Sequence, residues 1–212
     1  MPFDAHFMFL RMHSSEATPP LCVSWLLSSQ RHYGALQGRS KLECIEEFGK
    51  DQVKIWRNAF DIPPPLVSDH SPAFPGNDPM YEGIDHDLLP RGECLKDTLA
   101  RCSPFWEECV EPELREGRSV VIAAHGHSIR ALVKRLDGIS DEDISKISMP
   151  NGIPLVYHLD EELRPIRQQG AGGGEGSSSH DLLSGVFLGE IPKVKANDMG
   201  ILELASSGSD QQ

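Results

Sequence analysis

The chain has 212 residues, a formal net charge of −12 and a pI near 5.1. This length can bury a full core, and one domain with a tail is the simplest partition. The acidic balance argues against nucleic acid or an anionic membrane as the main partner. The five cysteines form no CxxC pair and signal neither a zinc ribbon nor a disulfide scaffold. We therefore expect reduced thiols, no metal and a cytoplasmic location.

The first 29 residues show little periodicity, and within them only residues 21–27 have the pattern of a strand. The apolar run at residues 7–10 is too short for a secretory signal, and Asp4 stands where such a signal is basic. We therefore expect residues 1–29 to be a divergent segment that precedes a domain at residues 30–166.

Helical and irregular stretches then alternate. Residues 41–60 and 95–115 have the spacing of helices, and Pro104 should kink or divide the second one. Between them, residues 62–91 form a long loop with seven prolines. Loops of this length in a compact domain usually shape a binding surface.

The most informative stretch is SVVIAAHGHSIR, residues 119–130. An unbroken apolar run is typical of a buried strand, and an amphipathic helix follows it, with Ser128 as the expected N-cap and Gly138 as the expected stop. His125 and His127 therefore stand where a strand passes into a helix N-terminus. The free amides and the helix dipole favour an anion there.

Other interpretations of these residues remain open at this point. His125 and His127 could bind a metal, although a third ligand is missing, or could be buried structural histidines. Arg31, His32 and Tyr33 form a second polar cluster, suited either to a phosphate or carboxylate ligand or to packing beside a turn.

The remaining segments complete an α/β pattern. Ser140 and Asp143 should start a short helix, and residues 153–159 should form a strand. The Gly/Ser-rich stretch 167–180 is typical of a flexible linker, and we expect the tail 181–212 to be poorly ordered except around Phe187. The expected fold is α/β, with helices on both faces of the sheet.

Five segments in order resemble the cofactor-dependent phosphoglycerate mutases of the histidine-phosphatase superfamily, almost continuously from Arg31 to Ile166. They are RHYGALQG, VKIWRNAFDIPPP, GECLKDTLARCSPFWEE, SVVIAAHGHSIRALVKRLDGISDEDI and PNGIPLVYHLDEELRPI. The resemblance implies a parallel-rich sheet and the interconversion of 2- and 3-phosphoglycerate in glycolysis. In that reaction, 2,3-bisphosphoglycerate primes a phosphohistidine and the substrates are small phosphorylated three-carbon acids.

The resemblance also assigns residues. His125 corresponds to the histidine that stabilises the transferring phosphoryl group, and Gly126 and His127 correspond to the pair after it, where the family commonly has Asn in the second place. The substrate-binding positions that it implies are Arg31, His32, Tyr33, Lys41, Arg57 and Asn58. Asn58 stands where the family has a second arginine.

Two departures predict impaired catalysis. Gln30 replaces the glutamate that acts as proton donor and acceptor, and an amide cannot exchange protons near neutral pH. The family's nucleophilic histidine, in an RHGES-type segment, has no clear counterpart. Arg11 to Glu16 resembles that segment only faintly because it lacks the glycine that lets backbone approach phosphate, so we do not expect His13 to be the nucleophile.

We therefore expect an N-terminally truncated, catalytically impaired mutase-type protein. The alternative is a non-catalytic paralogue that binds a phosphorylated metabolite or pairs with an intact mutase subunit. Homo-oligomerisation stays open as well, and a phosphatase of the same superfamily is a third interpretation.

Overall fold

The computed structural model describes residues 6–12, 21–23, 31–167 and 179–189. Within them, five strands form one sheet in the order β2-β3-β1-β4-β5. The strands are β1 (His6–Met12), β2 (Leu21–Val23), β3 (Val120–Ala124), β4 (Leu155–Leu159) and β5 (Val186–Phe187). The α-helices are α1 (Lys41–Phe48), α2 (Lys50–Asn58), α3 (Leu95–Phe105), α4 (Glu111–Arg115) and α5 (Gly126–Asp137).

The sheet is mixed. Strand β3 is parallel to β2 and antiparallel to β1, while β4 is parallel to β1 and antiparallel to β5. The expected α/β class is confirmed, but half of the pairings among the described strands are antiparallel, so the sheet is less parallel-rich than expected.

Strand β1 corrects the expectation that residues 1–29 contain a strand only at 21–27. It lies at the centre of the sheet between β3 and β4, and Met8 and Leu10 are fully buried. The apolar run at residues 7–10, too short for a secretory signal, is long enough to contribute to a buried strand. The expected strand at 21–27 is present as Leu21–Val23, and residues 24–30 lie outside the described ranges.

The helical stretch expected at residues 41–60 is divided in two. A capping box starts α1, in which the Ser40 hydroxyl accepts from the Glu43 amide and the Glu43 carboxylate accepts from the Ser40 amide. Gly49, with φ of 83°, separates α1 from α2. In the proline-rich loop that follows, short 3₁₀ turns occur at Pro75–Asn77, Pro79–Tyr81 and His86–Leu88.

The second helical stretch is interrupted as Pro104 predicts. Helix α3 contains Pro104 and passes into a π-helical turn at Trp106–Val110, after which α4 begins. Because proline lacks an amide and its ring displaces the preceding turn, the backbone hydrogen-bond pattern shifts here.

Helix α5 begins earlier than the sequence pattern predicts. Its N-cap is His125, with extended backbone angles, whereas Ser128 is a fully buried residue within the first turn. The expected N-cap at Ser128 is therefore wrong, because the chain already turns into the helix directly after β3. Gly138 ends the helix in the left-handed conformation, as expected.

The main core joins the sheet to α3, α4, α5 and the π-helical turn. Residues of the C-terminal segment also enter it: Leu183 is buried and Phe187 packs against the core in β5. Asp137 accepts hydrogen bonds from the Tyr157 hydroxyl and from the Ser184 amide, which fastens this segment to α5 and β4. Residues 168–178 and 190–212, which include most of the expected linker and tail, lie outside the described ranges.

No helix in the described part of the chain is long and apolar enough to cross a membrane.

Candidate functional site

A pocket of about 330 Å³ opens at the end of β3, where the chain enters α5. Three parts of the described chain line it. Tyr33 precedes α1 and Asn58 is the last residue of α2. Residues 125–127 and Arg130 come from the start of α5, and residues 145–149 and Asn151 come from the segment that leads towards β4. The last two parts meet because β3 and β4 run antiparallel, so that the end of β3 and the start of β4 lie at the same edge of the sheet.

The floor of the pocket includes a helix N-terminus. The His125 carbonyl accepts the first intrahelical bond, from the Ile129 amide, and the His125 side chain makes no capping hydrogen bond to the helix. Gly126 and His127 form the first turn and also line the pocket. The positive end of the helix dipole therefore lies at this region.

Tyr33 contacts residues of both polar motifs of the sequence, the one at residues 31–33 and the one at residues 125–127. Its ring packs edge-on against the ring of His127, with centroids 5.6 Å apart. The guanidinium carbons of Arg31 and Arg57 lie 4.9 Å and 4.8 Å from the Tyr33 ring centroid. Both are within cation–π distance, so one aromatic ring holds two cations beside the pocket.

Gly34 permits the turn that places Tyr33. Its φ is +57°, and a Cβ at this position would lie 2.1 Å from the Pro65 carbonyl oxygen. The Ala35 amide donates to that same oxygen at 2.8 Å. The glycine in RHYG is therefore required both by the backbone conformation and by the close approach of the proline-rich loop.

Arg31 is fully buried next to this ring. Its Nη2 donates to the carbonyl oxygens of Trp56 and Arg57, at 2.8 Å and 3.4 Å, while Nε and Nη1 are buried without a hydrogen-bond partner. Burial lowers the pKa of this guanidinium, and the positive charge of Arg57 lowers it as well.

Arg130 is a site residue that the sequence analysis did not single out. It is 6% exposed, and it lines the pocket from the second turn of α5. Its Nη2 donates to the Asn58 carbonyl at 3.5 Å, the long limit for such a bond, and its Nε has no partner. Burial lowers its pKa to about 10, and the charge of Arg31 lowers it too. The available signal was an arginine placed among buried apolar residues of an amphipathic helix.

Carboxylates balance these cations only in part: the charge of Glu93 opposes the lowering of the Arg31 pKa, but no described Asp or Glu forms an ion pair with Arg31 or Arg130. None of the described residues that line the pocket is Asp or Glu. The nearby Glu93 already accepts from the Arg101 side chain and from the His32 amide, both at 2.8 Å. Uncompensated buried cations are costly unless a partner arrives, so the arrangement suits an anionic ligand.

Besides Arg31, three of the proposed binding residues lie outside the pocket lining. The His32 Nδ1 accepts from the Gly34 amide at 3.1 Å, so its Nε2 carries the proton and faces the Ala73 carbonyl at 3.4 Å. This histidine therefore holds the proline-rich loop. Lys41 begins α1; partial burial, and then the charge of Arg57, lower its pKa. Arg57 contacts the pocket through the Tyr33 ring.

Tyr33, Asn58, His125, Gly126 and His127 are brought together around the pocket. Gln30 lies outside the described residues.

The direction of β1 bears on His13. Because β1 runs antiparallel to β3, with His6 opposite Ala124 and Leu10 opposite Val120, the last residue of β1, Met12, lies at the sheet edge away from His125. His13 itself is outside the described ranges.

Within the ranges that the structure covers, no group of three or more His, Cys, Asp or Glu side chains could hold a metal ion.

Comparison with known proteins finds a family model that matches part of the chain. Residues 75–168 match the histidine phosphatase superfamily (branch 1). The matched segment is less than half of the chain and includes His125, His127 and Arg130, whereas Tyr33 and Asn58 precede it. A solved structure described as "Mycobacterial hydrolase 1" is similar with a TM-score of 0.48 and 14% identity, over 86% of this chain and 96% of that one.

Proposed function

We propose that this chain is a phosphoglycerate mutase-type protein, impaired in catalysis, whose pocket binds a phosphorylated three-carbon acid. The observation that carries the proposal is a buried, carboxylate-free cation site, formed by Arg130 at the helix N-terminus that His125 caps. The pocket volume of about 330 Å³ is at the small end of ligand sites and suits a small metabolite.

Different parts of the pocket lining would bind different groups of such an acid. The first turn of α5 offers amides and a positive dipole to the phosphoryl oxygens, and His125 adds an imidazole at the same place. Arg130 supplies a buried charge. Asn151 also lines the pocket and offers an amide to the carboxylate or hydroxyl of the ligand, whereas the lining residue Lys146 already pairs with Asp143 at 2.6 Å.

The same residues fit 2,3-bisphosphoglycerate, the cofactor that the resemblance implies. Two buried guanidinium groups that each keep at least one nitrogen without a hydrogen-bond partner, and a described lining without carboxylates, favour a polyanion. When bound, this cofactor supplies the phosphoryl group of the family reaction. The chain's contribution would be to bind and orient it through Arg130, His125 and the first turn of α5.

We expect weak catalysis for two reasons: the described pocket lining offers no carboxylate for proton transfer, and the family's nucleophilic histidine has no clear counterpart in the sequence. No described lining residue is a carboxylate that could exchange protons with the substrate hydroxyls, and Gln30 stands at the family's glutamate position. These same observations favour the second candidate, a non-catalytic protein that binds a phosphorylated metabolite.

Two measurements on the purified chain test the proposal. Calorimetry should detect binding of 3-phosphoglycerate and much weaker binding of glycerate, which lacks the phosphoryl group. Mutase assays with 2,3-bisphosphoglycerate should give no measurable turnover, since loss of a nucleophile costs several orders of magnitude in rate.

The other outcomes are equally informative. Equal binding of 3-phosphoglycerate and glycerate, or no binding of either, would contradict the phosphate site. Rapid interconversion of 2- and 3-phosphoglycerate would contradict the impairment, and release of inorganic phosphate from 3-phosphoglycerate would favour a phosphatase.

A further inference from the structure

Two buried arginines converge on the end of α2, where Nη2 of Arg31 donates to the Arg57 carbonyl at 3.4 Å and Nη2 of Arg130 donates to the Asn58 carbonyl at 3.5 Å. Arg31 is fully buried and Arg130 is 6% exposed, and the charge of Arg31 lowers the pKa of Arg130. Neither forms an ion pair with any described Asp or Glu, and Nε of each has no hydrogen-bond partner. Two like charges in this environment repel each other and are poorly solvated.

The two arginines differ in their access to the ligand. Arg31 uses its Nη2 to hold the carbonyl oxygens at the end of α2 and lies behind Tyr33, outside the pocket lining. Arg130 reaches the pocket, and the hydrogen bond of its side chain within the described ranges is the long 3.5 Å contact to the Asn58 carbonyl. Arg130 is therefore free to donate to a bound anion, while Arg31 supports it from behind.

We propose that Arg130 is the residue that binds the phosphoryl dianion, with Arg31 as the second buried charge that the dianion neutralises. This inference rests on the proposed function, since it names the group that holds the phosphate in that pocket. The repulsion between the two arginines should destabilise the ligand-free protein, and bound phosphate should offset this repulsion.

Two measurable quantities distinguish a phosphate-binding Arg130 from a purely structural one: the stability of the ligand-free protein and the affinity for phosphate. Replacing Arg130 by methionine removes a buried like charge and keeps most of the side-chain volume. Without ligand, the variant should therefore be at least as stable as the wild type, while its response to phosphate is lost. A structural arginine would instead lose stability on replacement and leave the phosphate response unchanged.

Thermal unfolding with and without inorganic phosphate measures both effects. Arg130→Met should show an unchanged or higher melting temperature without phosphate and at least a tenfold weaker phosphate affinity. Arg130→Lys keeps a charge but loses the forked donor geometry, and should bind phosphate several-fold more weakly than the wild type. Arg135→Met is the matched control, because Arg135 lies on the same helix and pairs with Glu107 at 3.0 Å. It should bind phosphate as the wild type does.

The possible failures are distinguishable. If the wild type does not respond to phosphate, the proposed function fails and this inference fails with it. If the wild type responds to phosphate and both Arg130 variants bind phosphate with wild-type affinity, the phosphate site stands and only the role of Arg130 is overturned. If Arg130→Met does not fold, the assignment of the pair as a source of strain is overturned, and the phosphate affinity of Arg130→Lys decides the binding role.

Discussion

Replacing His125 by alanine tests the placement of the anion at the start of α5. The His125 side chain makes no capping hydrogen bond to the helix, so its removal should leave the start of α5 in place. What is lost is one charge-assisted hydrogen bond to the phosphoryl group, worth about 1–3 kcal/mol. Binding of 3-phosphoglycerate should therefore weaken by about 5- to 150-fold. The helix N-terminus and Arg130 remain, so binding should be reduced and not abolished.

Isothermal titration calorimetry of the two proteins at the same pH and ionic strength gives this ratio. His70→Ala is the matched control, because His70 is exposed in the proline-rich loop and does not line the pocket. It should bind 3-phosphoglycerate with wild-type affinity. Equal affinities for wild type and His125→Ala, with unchanged circular dichroism, would refute the assignment of His125.

Two further predictions concern the segment that positions Tyr33. Gly34→Ala should lower stability by roughly 1–3 kcal/mol more than Gly38→Ala in chemical denaturation, because both glycines have positive φ but only Gly34 meets the Pro65 carbonyl. Equal losses would remove the argument for that close approach. Burial lowers the pKa of His32 below its ordinary 6.5. The folded chain then binds fewer protons than the unfolded chain, so stability should fall as pH falls through about 6.5. His32→Gln should lose this part of the pH dependence of the melting temperature, and an identical pH profile would contradict it.

The sequence predicts the junction of β3 and α5 well because its signals are local. An apolar run, a following amphipathic pattern and a terminal glycine fix the strand, the helix and Gly138 without knowledge of distant contacts. The same is true of Pro104, whose missing amide disturbs a helix in any context. These signals place His125 between the strand and the helix, although they predict the N-cap at Ser128 and the structure has it at His125.

The remaining features depend on contacts between distant segments. Nothing near Met8 and Leu10 in the sequence indicates that β1 occupies the centre of the sheet or runs antiparallel to β3. Arg130 resembles an ordinary charged residue until α5 is packed against Asn58. His32 resembled a ligand-binding histidine, but its ring nitrogens are engaged by Gly34 and Ala73, which only the folded loop brings near.

The most direct measurement is a crystal structure of the chain with tungstate, a phosphate analogue that anomalous scattering locates. A peak is expected in the pocket at the start of α5, within hydrogen-bond distance of Arg130 and of the first-turn amides. A peak at another surface, with the pocket holding no anion in crystals that contain tungstate, would contradict a phosphate site at the start of α5.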